Sequence, residues 1–439
     1  MNSKRVITFT LLIVISCGLL SGCYDRREID DLTYVIAIGL DEGKTNNLRM
    51  TLQYAVPAAI GGGGMGGGGG GGGGGEGGNK SVNTVTVETP TLYSGLNMVN
   101  NFIGKQVNIS HAKVSVISEE LARSGKMHEY IHAMVRGREF RPNMYIAVSR
   151  GSAEDYIRSV KPIQELNPAK YYELKFSTYK YTGFTAETTL NNFYNQQESL
   201  ARQPVATLVG VGHFQSSNDF DPNSSTYRNK GRPYPLEGDY LAGDTPTVSD
   251  IKSETMGLAV FDGTNMVGAL DGQEATYHLI ATGEYNYSYV TIQDPKDVNT
   301  FVVLNLKQSR KPAYKVSFDG GKPRISLKIK LEADYLSIQS GINYEMGADR
   351  ELFEKSAEQF LKTEITRFLD RTAKEFKSDI CGFGRFVKGS FLTWKEWEDF
   401  NWLGKYKDST FDVDVDLKVR RPGLMIRSMP SVSSAGGGE

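Results

Sequence analysis

The N-terminal segment constrains the folded protein more than any other feature, because it decides which part of the chain remains to fold. Lys4 and Arg5 precede an almost wholly apolar stretch at residues 6–20. A short basic region before an apolar core of this length is typical of a secretory signal peptide. An uncleaved membrane anchor is the alternative, but a spanning helix needs roughly 20 apolar residues, and charged residues 25–28 follow almost at once. We therefore expect residues 1–22 to be a cleaved signal peptide and the protein to be exported.

The cysteines indicate how the mature protein is held together. Cys23 follows Leu20-Ser21-Gly22, which resembles the lipobox of bacterial lipoproteins. The resemblance implies that the Cys23 thiol carries a diacylglyceryl group. Cys17 leaves with the signal peptide, so Cys381 alone remains and no intrachain disulfide is expected. Stability must then come from packing, and roughly 400 residues suffice for two or three cores.

The balance of charge argues against one class of partner. The chain has 50 Lys and Arg residues against 51 Asp and Glu residues, a net charge of −1. Nucleic-acid-binding proteins usually carry a basic patch or stripe. This sequence contains no long basic run and no basic-aromatic patch. We therefore expect no nucleic acid among its partners.

A glycine tract interrupts the first half of the chain. Sixteen of the eighteen residues at 61–78 are glycine. The tract has almost no apolar side chains to bury and the highest backbone entropy, so we expect a disordered insertion. A phosphate-binding loop would need a strand, a few placed glycines and a helix opening on Lys-Ser/Thr, and the sequence around the tract lacks the last of these.

Strands and helices alternate over the first half. Residues 34–40 form a continuous apolar run, as in a strand that is covered on both faces. Helices are predicted after Thr89-Pro90 and after Ser152, where capping residues precede helical patterns. The alternation predicts a mixed α/β part at residues 23–214, with two small subdomains as an alternative division. Further strands are predicted at residues 50–54, 82–87, 111–117, 144–148 and 205–211.

The second half is richer in strands. Residues 215–250 are rich in Ser, Asn, Asp, Gly and Pro and predict a polar loop or linker. Residues 251–425 are predicted to form a C-terminal α+β domain with an antiparallel sheet and a long amphipathic helix at residues 348–376. A flexible tail at residues 426–439 completes a multidomain chain of the α+β or mixed α/β class. The alternating segments that predict strands are residues 255–261, 302–306, 314–318, 325–331 and 411–419.

One motif carries the pattern of a zinc peptidase. His128-Glu129-Tyr130-Ile131-His132 satisfies H-E-x-x-H on a predicted helix, so that both imidazoles would share one face and Glu129 could polarise a bound water. Glu154 is a candidate third ligand. The pattern fixes only three residues, however, and the alternative is a surface helix that carries two histidines by chance. We expect no metal site here, no catalytic residues and no cofactor.

Two charged groups have a similar double interpretation. Asp412, Asp414 and Asp416 have the spacing that opens a calcium loop, but the glycine and glutamate that such a loop needs are absent. They are better explained as the solvated face of a strand. A group of three arginines with one glutamate favours either a helix C-terminus with a local ion pair or a binding role. That group is Arg136, Arg138, Glu139 and Arg141.

The ordered motifs together resemble the Ger(x)C family, the lipoprotein C subunits of spore germinant receptors. The resemblance spans nearly the whole mature chain, and Tyr24 stands where members typically have Trp. The glycine tract also departs from the family, so its loop is not expected to bear a shared function. The motifs are Gly22-Cys23-Tyr24-Asp25-Arg26-Arg27-Glu28-Ile29-Asp30-Asp31-Leu32, Ala37-Ile38-Gly39-Leu40-Asp41, Arg136-Gly137-Arg138-Glu139-Phe140-Arg141, Gly257-Leu258-Ala259-Val260-Phe261, Met266-Val267-Gly268 and Ser378-Asp379-Ile380-Cys381-Gly382-Phe383-Gly384.

The resemblance implies a non-enzymatic protein that works with two membrane-embedded partners, the A and B subunits of the receptor. It also implies attachment through Cys23 to membrane lipid, on the outer face of the spore inner membrane of a Gram-positive spore former. Assembly of the receptor or signalling within it is then the expected role. The alternatives are a solute-binding lipoprotein of an importer, which would need two similar α/β lobes, and the zinc peptidase of His128, Glu129 and His132.

Overall fold

The computed structural model describes residues 3–19, 29–56, 81–162, 165, 167–220, 232, 234–423 and 425. Three predictions fall outside the described residues: the lipid attachment at Cys23, the glycine insertion at residues 61–78 and the tail at residues 426–439.

Thirteen helices and thirteen strands are described. The helices are α1 (Ser3–Leu19), α2 (Leu92–Ile103), α3 (Glu119–Arg123), α4 (Met127–Arg136), α5 (Ala153–Ser159), α6 (Pro168–Phe176), α7 (Tyr179–Thr182), α8 (Leu190–Gln197), α9 (Gly272–Thr282), α10 (Gly347–Arg371), α11 (Gly384–Lys388), α12 (Trp394–Phe400) and α13 (Trp402–Tyr406). The strands are β1 (Leu32–Glu42), β2 (Leu48–Ala55), β3 (Val82–Thr89), β4 (Gln106–Asn108), β5 (Val114–Ser118), β6 (Tyr145–Ser149), β7 (Val205–Val211), β8 (Ser253–Asp262), β9 (Asn265–Leu270), β10 (Tyr287–Gln293), β11 (Phe301–Asp319), β12 (Lys322–Ile338) and β13 (Thr410–Arg421).

Nine of the strands form one large sheet. Its order is β3-β2-β1-β5-β6-β7-β8-β9, and β4 pairs with the start of β1. Strands β1, β5, β6 and β7 run parallel to their neighbours in this series, whereas the pairs at both ends of the sheet are antiparallel. The continuous apolar run predicted as a doubly covered strand is β1, which is buried along nearly its whole length between β2 and β5.

Helices cover both faces of this sheet, because successive residues of a strand point to opposite sides. One core contains apolar side chains of α2, α3, α4 and α8, and the other contains those of α5 and α6. Local capping defines the helix starts: the Ser152 hydroxyl accepts a hydrogen bond from Asp155 N at the start of α5, as predicted. Helix α2 is capped by Thr91 rather than by Thr89, which belongs to β3.

The four remaining strands form a second sheet with the order β10-β11-β12-β13. The first two pairs are antiparallel and β12–β13 is parallel. Helix α10 packs along β13 and continues into a π-turn at Thr372–Phe376. The buried side of this sheet, α9, α10 and the short helices α11–α13 enclose a single large core. The chain therefore has the multidomain, mixed α/β architecture that the sequence predicts.

One hairpin is shared between the two halves of the molecule. The β8–β9 hairpin lies in the predicted C-terminal domain, residues 251–425, yet it completes the large first sheet. Its residues alternate between two cores: Ala259 and Phe261 pack in the core of the first sheet, whereas Leu258 and Val260 pack in the core of the second. The hairpin contributes to both cores because strand β8 is buried on both faces.

The segment predicted as a polar linker, residues 215–250, is in part packed against the rest of the protein. Ser217–Asp219 forms a 3-10 turn, and Leu236, Asp239 and Ala242 are buried. At the N-terminus, the apolar side chains of helix α1 that the structure describes, at residues 6–13 and 15, are exposed. Among the described residues, no helix combines the length and the apolarity needed to cross a membrane.

Candidate functional site

The carboxyl ends of the parallel strands border a cleft in the large sheet. Asp41, Ser118 and Ser149 lie at or near the ends of β1, β5 and β6. Two adjoining cavities of about 630 Å³ and about 290 Å³ share Arg150 and its two following residues. Ligands of open α/β sheets bind at this edge, so this cleft is the first place to examine for a functional site.

Asp41 is the most buried carboxylate of the cleft. Its two oxygens accept hydrogen bonds from Ala153 N at 2.7 Å and Glu154 N at 3.0 Å, so it closes the first turn of α5. Burial raises the pKa of Asp41, and these hydrogen bonds oppose that rise. Asp41 therefore ties β1 to α5, and both of its oxygens are already engaged.

Arg150 has a similar anchoring role on the other side of the cleft. Its Nη1 donates to the carbonyl oxygen of Ala242 at 2.9 Å and to Asp244 at 2.5 Å. These contacts attach the segment that precedes β8 to the end of β6. The described residues contain no group of three or more His, Cys, Asp or Glu side chains placed to hold a metal ion.

The H-E-x-x-H residues lie on α4, as predicted, and both imidazoles contact neighbouring groups. His128 Nδ1 lies 3.0 Å from the carbonyl oxygen of Gly125, and His132 Nε2 lies 3.2 Å from a carboxylate oxygen of Glu198. The two ring centroids are 6.0 Å apart. The candidate third ligand, Glu154, lies on α5, which covers the opposite face of the sheet, and pairs with Arg158. The structure therefore does not bring Glu154 together with His128 and His132.

The arginine group lies around the C-terminus of α4. Arg136, Arg138 and Arg141 are exposed. A Cβ at Gly137 between them would lie 1.9 Å from the Tyr93 hydroxyl, so a side chain there would displace that exposed tyrosine. Arg136 is the last residue of the helix, which is a favourable place for a cation. A binding role for the group stays a prediction.

The three aspartates with calcium-loop spacing lie on the outer face of β13. Asp414 and Asp416 are directly opposite Lys328 and Lys330 of β12, and Lys330 Nζ lies 3.7 Å from Asp416. They are therefore part of a ladder of opposite charges on the solvated face of the second sheet, the alternative that the sequence favoured.

Comparison with known proteins gives the family. The model described as "Spore germination protein N-terminal domain" matches residues 25–211. The model described as "Spore germination B3/GerAC like, C-terminal" matches residues 256–423. The chain belongs to the Ger(x)C family. Among curated Ger(x)C relatives, Spore germination protein KC of Bacillus subtilis (strain 168) is 22% identical over 430 residues, which cover 96% of this chain and 97% of that protein.

Two further Ger(x)C proteins extend the comparison. The putative spore germination protein YfkR of the same organism is 22% identical, with 97% of this chain and 99% of that protein covered. The crystal structure of the GerBC protein has a TM-score of 0.48 and 15% identity, and the alignment covers 87% of this chain and 96% of that one.

One Ger(x)C motif forms a buried joint that sequence reasoning did not foresee. Asp379 is fully buried and accepts hydrogen bonds from Gly382 N at 2.7 Å, Gly384 N at 3.0 Å and Trp402 Nε1 at 2.8 Å. Gly382 adopts φ +74°, a conformation that favours glycine. The Asp379 carboxylate therefore fixes the shape of the loop at residues 378–384.

The same loop fastens the second core to the first sheet. The Ser378 hydroxyl donates to the carbonyl oxygen of Phe261 on β8 at 2.6 Å, and Gln203 N donates to that of Asp379 at 2.9 Å. Arg202 Nε donates to the carbonyl oxygen of Ile380 at 3.0 Å. The sequence signal that could have indicated this joint is the run of one aspartate before two closely spaced glycines, a pattern typical of a tight turn.

Proposed function

We propose that this Ger(x)C protein is a non-enzymatic, lipid-anchored subunit of a spore germinant receptor, needed for receptor assembly or signalling in nutrient-triggered germination. The observation that carries the proposal is the match of both halves of the chain, in order, to spore germination domains. Relatives that align over nearly their full length bear the name of spore germination proteins.

The internal contacts support a scaffold rather than an enzyme. The most buried carboxylates near the cleft and the joint, Asp41 and Asp379, both accept backbone hydrogen bonds that hold neighbouring elements together. A hairpin shared by two cores and the loop at residues 378–384 join the two sheets. A scaffold of this kind can present fixed surfaces to partner subunits.

Membrane attachment through Cys23 is the second part of the proposal. A diacylglyceryl group inserts two chains, which is enough for stable anchoring where a single chain is marginal. The protein would then lie on the outer face of the spore inner membrane, beside the membrane-embedded A and B subunits that we propose as its partners. Confinement to one membrane raises the effective concentration of such partners.

The two alternatives have less support. A solute-binding lipoprotein would need two similar lobes around a cleft, whereas the two sheets here have nine and four strands and different topologies. A zinc peptidase would need a third ligand near His128 and His132, and Glu154 is on the opposite face of the sheet.

Co-isolation from spore membranes tests the proposal. An affinity tag at the C-terminus should recover the A and B subunits together from detergent-solubilised inner membranes of wild-type spores. Deletion of the gene should abolish germination in response to the nutrients of that receptor, and a plasmid copy should restore it. Recovery of neither membrane subunit, together with unchanged germination in every nutrient tried, would contradict the proposal.

A further inference from the structure

One end of the second sheet exposes four large apolar side chains, which we call the apolar tip. Phe318 lies near the end of β11, Phe386 on α11, Leu392 between α11 and α12, and Trp394 at the start of α12. Their exposed fractions are 43%, 47%, 96% and 56%, respectively. Single exposed apolar residues are ordinary, but a group of this size marks an interaction surface.

Ring contacts fix two of these four side chains, Phe386 and Phe318, on neighbouring aromatic rings. Phe386 stacks on Tyr314 of β11 with 4.5 Å between ring centroids, and Phe318 packs edge-on against Phe400 at 5.5 Å. Phe400 in turn lies 4.9 Å from Phe391, which directly precedes the exposed leucine. The leucine therefore projects from a packed aromatic base.

Hydrogen bonds hold the projecting loop in this conformation. Thr393 and Glu396 form a reciprocal capping box at the start of α12. The Glu396 carboxylate also accepts a hydrogen bond from Leu392 N at 3.1 Å, and Trp394 Nε1 donates to Glu398 at 2.5 Å. The exposure of Leu392 is thus imposed by the fold of the loop.

Three lysines border the apolar tip. Lys388 Nζ lies 4.6 Å from the centre of the Trp394 ring, and Lys405 Nζ lies 5.3 Å from that of Phe400. Lys395 is exposed beside Trp394. The neighbouring acids Glu396, Glu398 and Asp399 are also exposed, and Glu396 and Glu398 accept the hydrogen bonds above. Trp, Phe and Leu bordered by Lys are the composition of segments that enter the boundary between lipid headgroups and acyl chains.

We infer that the apolar tip is a second membrane contact, in which Leu392 and Trp394 enter the surface of an anionic bilayer and Lys388 and Lys395 meet its headgroups. The inference rests on the proposed function, because the lipid on Cys23 would keep the protein at that membrane. The lipid on Cys23 attaches the protein at one point and does not by itself fix the orientation of the folded part on the bilayer. A second contact fixes its orientation toward the membrane-embedded subunits.

A bilayer suits the tip better than a protein partner does. A stable protein interface uses about 20–30 residues on each side, whereas the apolar tip consists of four exposed side chains. The most exposed residue is a leucine, a type that is under-represented among the side chains that dominate protein interfaces. A projecting leucine with a flanking tryptophan can enter the boundary between lipid headgroups and acyl chains without a complementary pocket.

Quenching of tryptophan fluorescence by brominated lipids tests the inference. The chain has three tryptophans, and Trp397 and Trp402 are buried, so accessible emission comes from Trp394. Lipidated protein on vesicles of phosphatidylcholine and phosphatidylglycerol with brominated acyl chains should be quenched, and less so without phosphatidylglycerol. Trp394→Phe and Leu392→Asp should each remove the quenching without lowering the melting temperature.

Leu336→Asp is the matched control, because Leu336 is 51% exposed near the other end of β12. The tryptophan fluorescence of this variant should be quenched as strongly as that of the wild type. Vesicle flotation is measured on the same samples. Flotation without quenching, or quenching that persists in Trp394→Phe, would overturn the membrane contact and leave the Cys23 anchor standing. Absence of flotation would count against both. Unquenched protein whose Leu392→Asp variant loses the A and B subunits would instead assign the tip to a protein partner.

Discussion

The buried Asp379 carboxylate fixes the conformation of the loop at residues 378–384, which connects the second core to the first sheet. Its fully buried oxygens accept hydrogen bonds from three donors: Gly382 N, Gly384 N and Trp402 Nε1. Burial raises the pKa of Asp379, and the same hydrogen bonds oppose that rise. Removing the carboxylate would leave three donors without a partner in a region that water does not reach.

We therefore predict that Asp379→Ala lowers the free energy of unfolding by about 3–5 kcal/mol, the range for a broken buried polar group. Urea unfolding followed by circular dichroism measures it. Asp408→Ala is the matched control, since Asp408 is exposed on a nearby turn and surface changes usually stay within about 0.5 kcal/mol. A loss below about 1 kcal/mol in Asp379→Ala would contradict the role assigned to this residue.

The buried imidazole of His278 should make the free energy of unfolding depend on pH. It is fully buried on α9, with Nδ1 3.9 Å from Cys381 Sγ, and burial, followed by the charge of Arg202, lowers its pKa from 6.5 to about 3. The folded protein thus binds fewer protons at this site than the unfolded chain. Its contribution is present above the unfolded pKa and is lost as the pH falls below 6.5 toward 3.

Between pH 7 and pH 5 the protein should lose about 2 kcal/mol of stability through this one group, at about 1.4 kcal/mol per pH unit below 6.5. Unfolding in urea at several pH values measures the slope. His278→Leu should flatten this part of the profile whatever it does to absolute stability, whereas His132→Gln, which changes a surface imidazole, should keep it. An equal slope in wild type and His278→Leu would refute the assignment.

At the scale of elements, the β2–β3 hairpin shows that its connection has to span only a short distance. Ala55 pairs with Val82, and Val56 N donates to the carbonyl oxygen of Ser81 at 3.0 Å, so the two strand ends lie side by side. A short loop can join them, and the entropy of loop closure grows only slowly with length. Replacing residues 61–78 by about six Gly and Ser residues should therefore shift the melting temperature by no more than a few degrees. A collapse of expression or stability would show that the tract is structural.

Among the helices of the second core, the one that exposes a polar face was predictable and the one that is buried almost throughout was not. Residues 348–376 form α10 and its π-turn because their apolar stripe faces one core. Helix α9 was missed: it is buried almost throughout, so it has no polar face to give a helical period, although the capping box of Asp271 and Glu274 marks its start. The strands predicted at residues 302–306 and 314–318 are one strand, β11, whose register shifts near Pro312, as expected where proline interrupts a ladder.

The cleft and the joint were less accessible to sequence reasoning for a different reason. The contacts of Arg150 with Asp244, and of Asp379 with Trp402, join residues far apart in the chain. Local patterns predict caps, strands and exposed faces, but they do not say which distant side chains meet. The placement of Glu154 away from His128 and His132 likewise follows from the sheet between them and not from their spacing.

At the scale of the whole molecule, the shared β8–β9 hairpin and the loop at residues 378–384 connect two cores into one scaffold. We propose that this scaffold works in germination while tethered to the membrane through Cys23. Its partners are then concentrated in two dimensions, and losing the tether should weaken their association without unfolding the protein.

Nutrient-triggered germination of spores that carry an unlipidated protein tests that claim most directly. Residues 24–439 are exported behind an ordinary cleavable signal peptide in a deletion strain, and the wild-type lipoprotein in the same strain is the control. Immunoblotting and protease resistance establish that both versions are present and folded. We expect a sharp fall in the nutrient response of the unlipidated strain. A full response from unlipidated, correctly localised protein would contradict it.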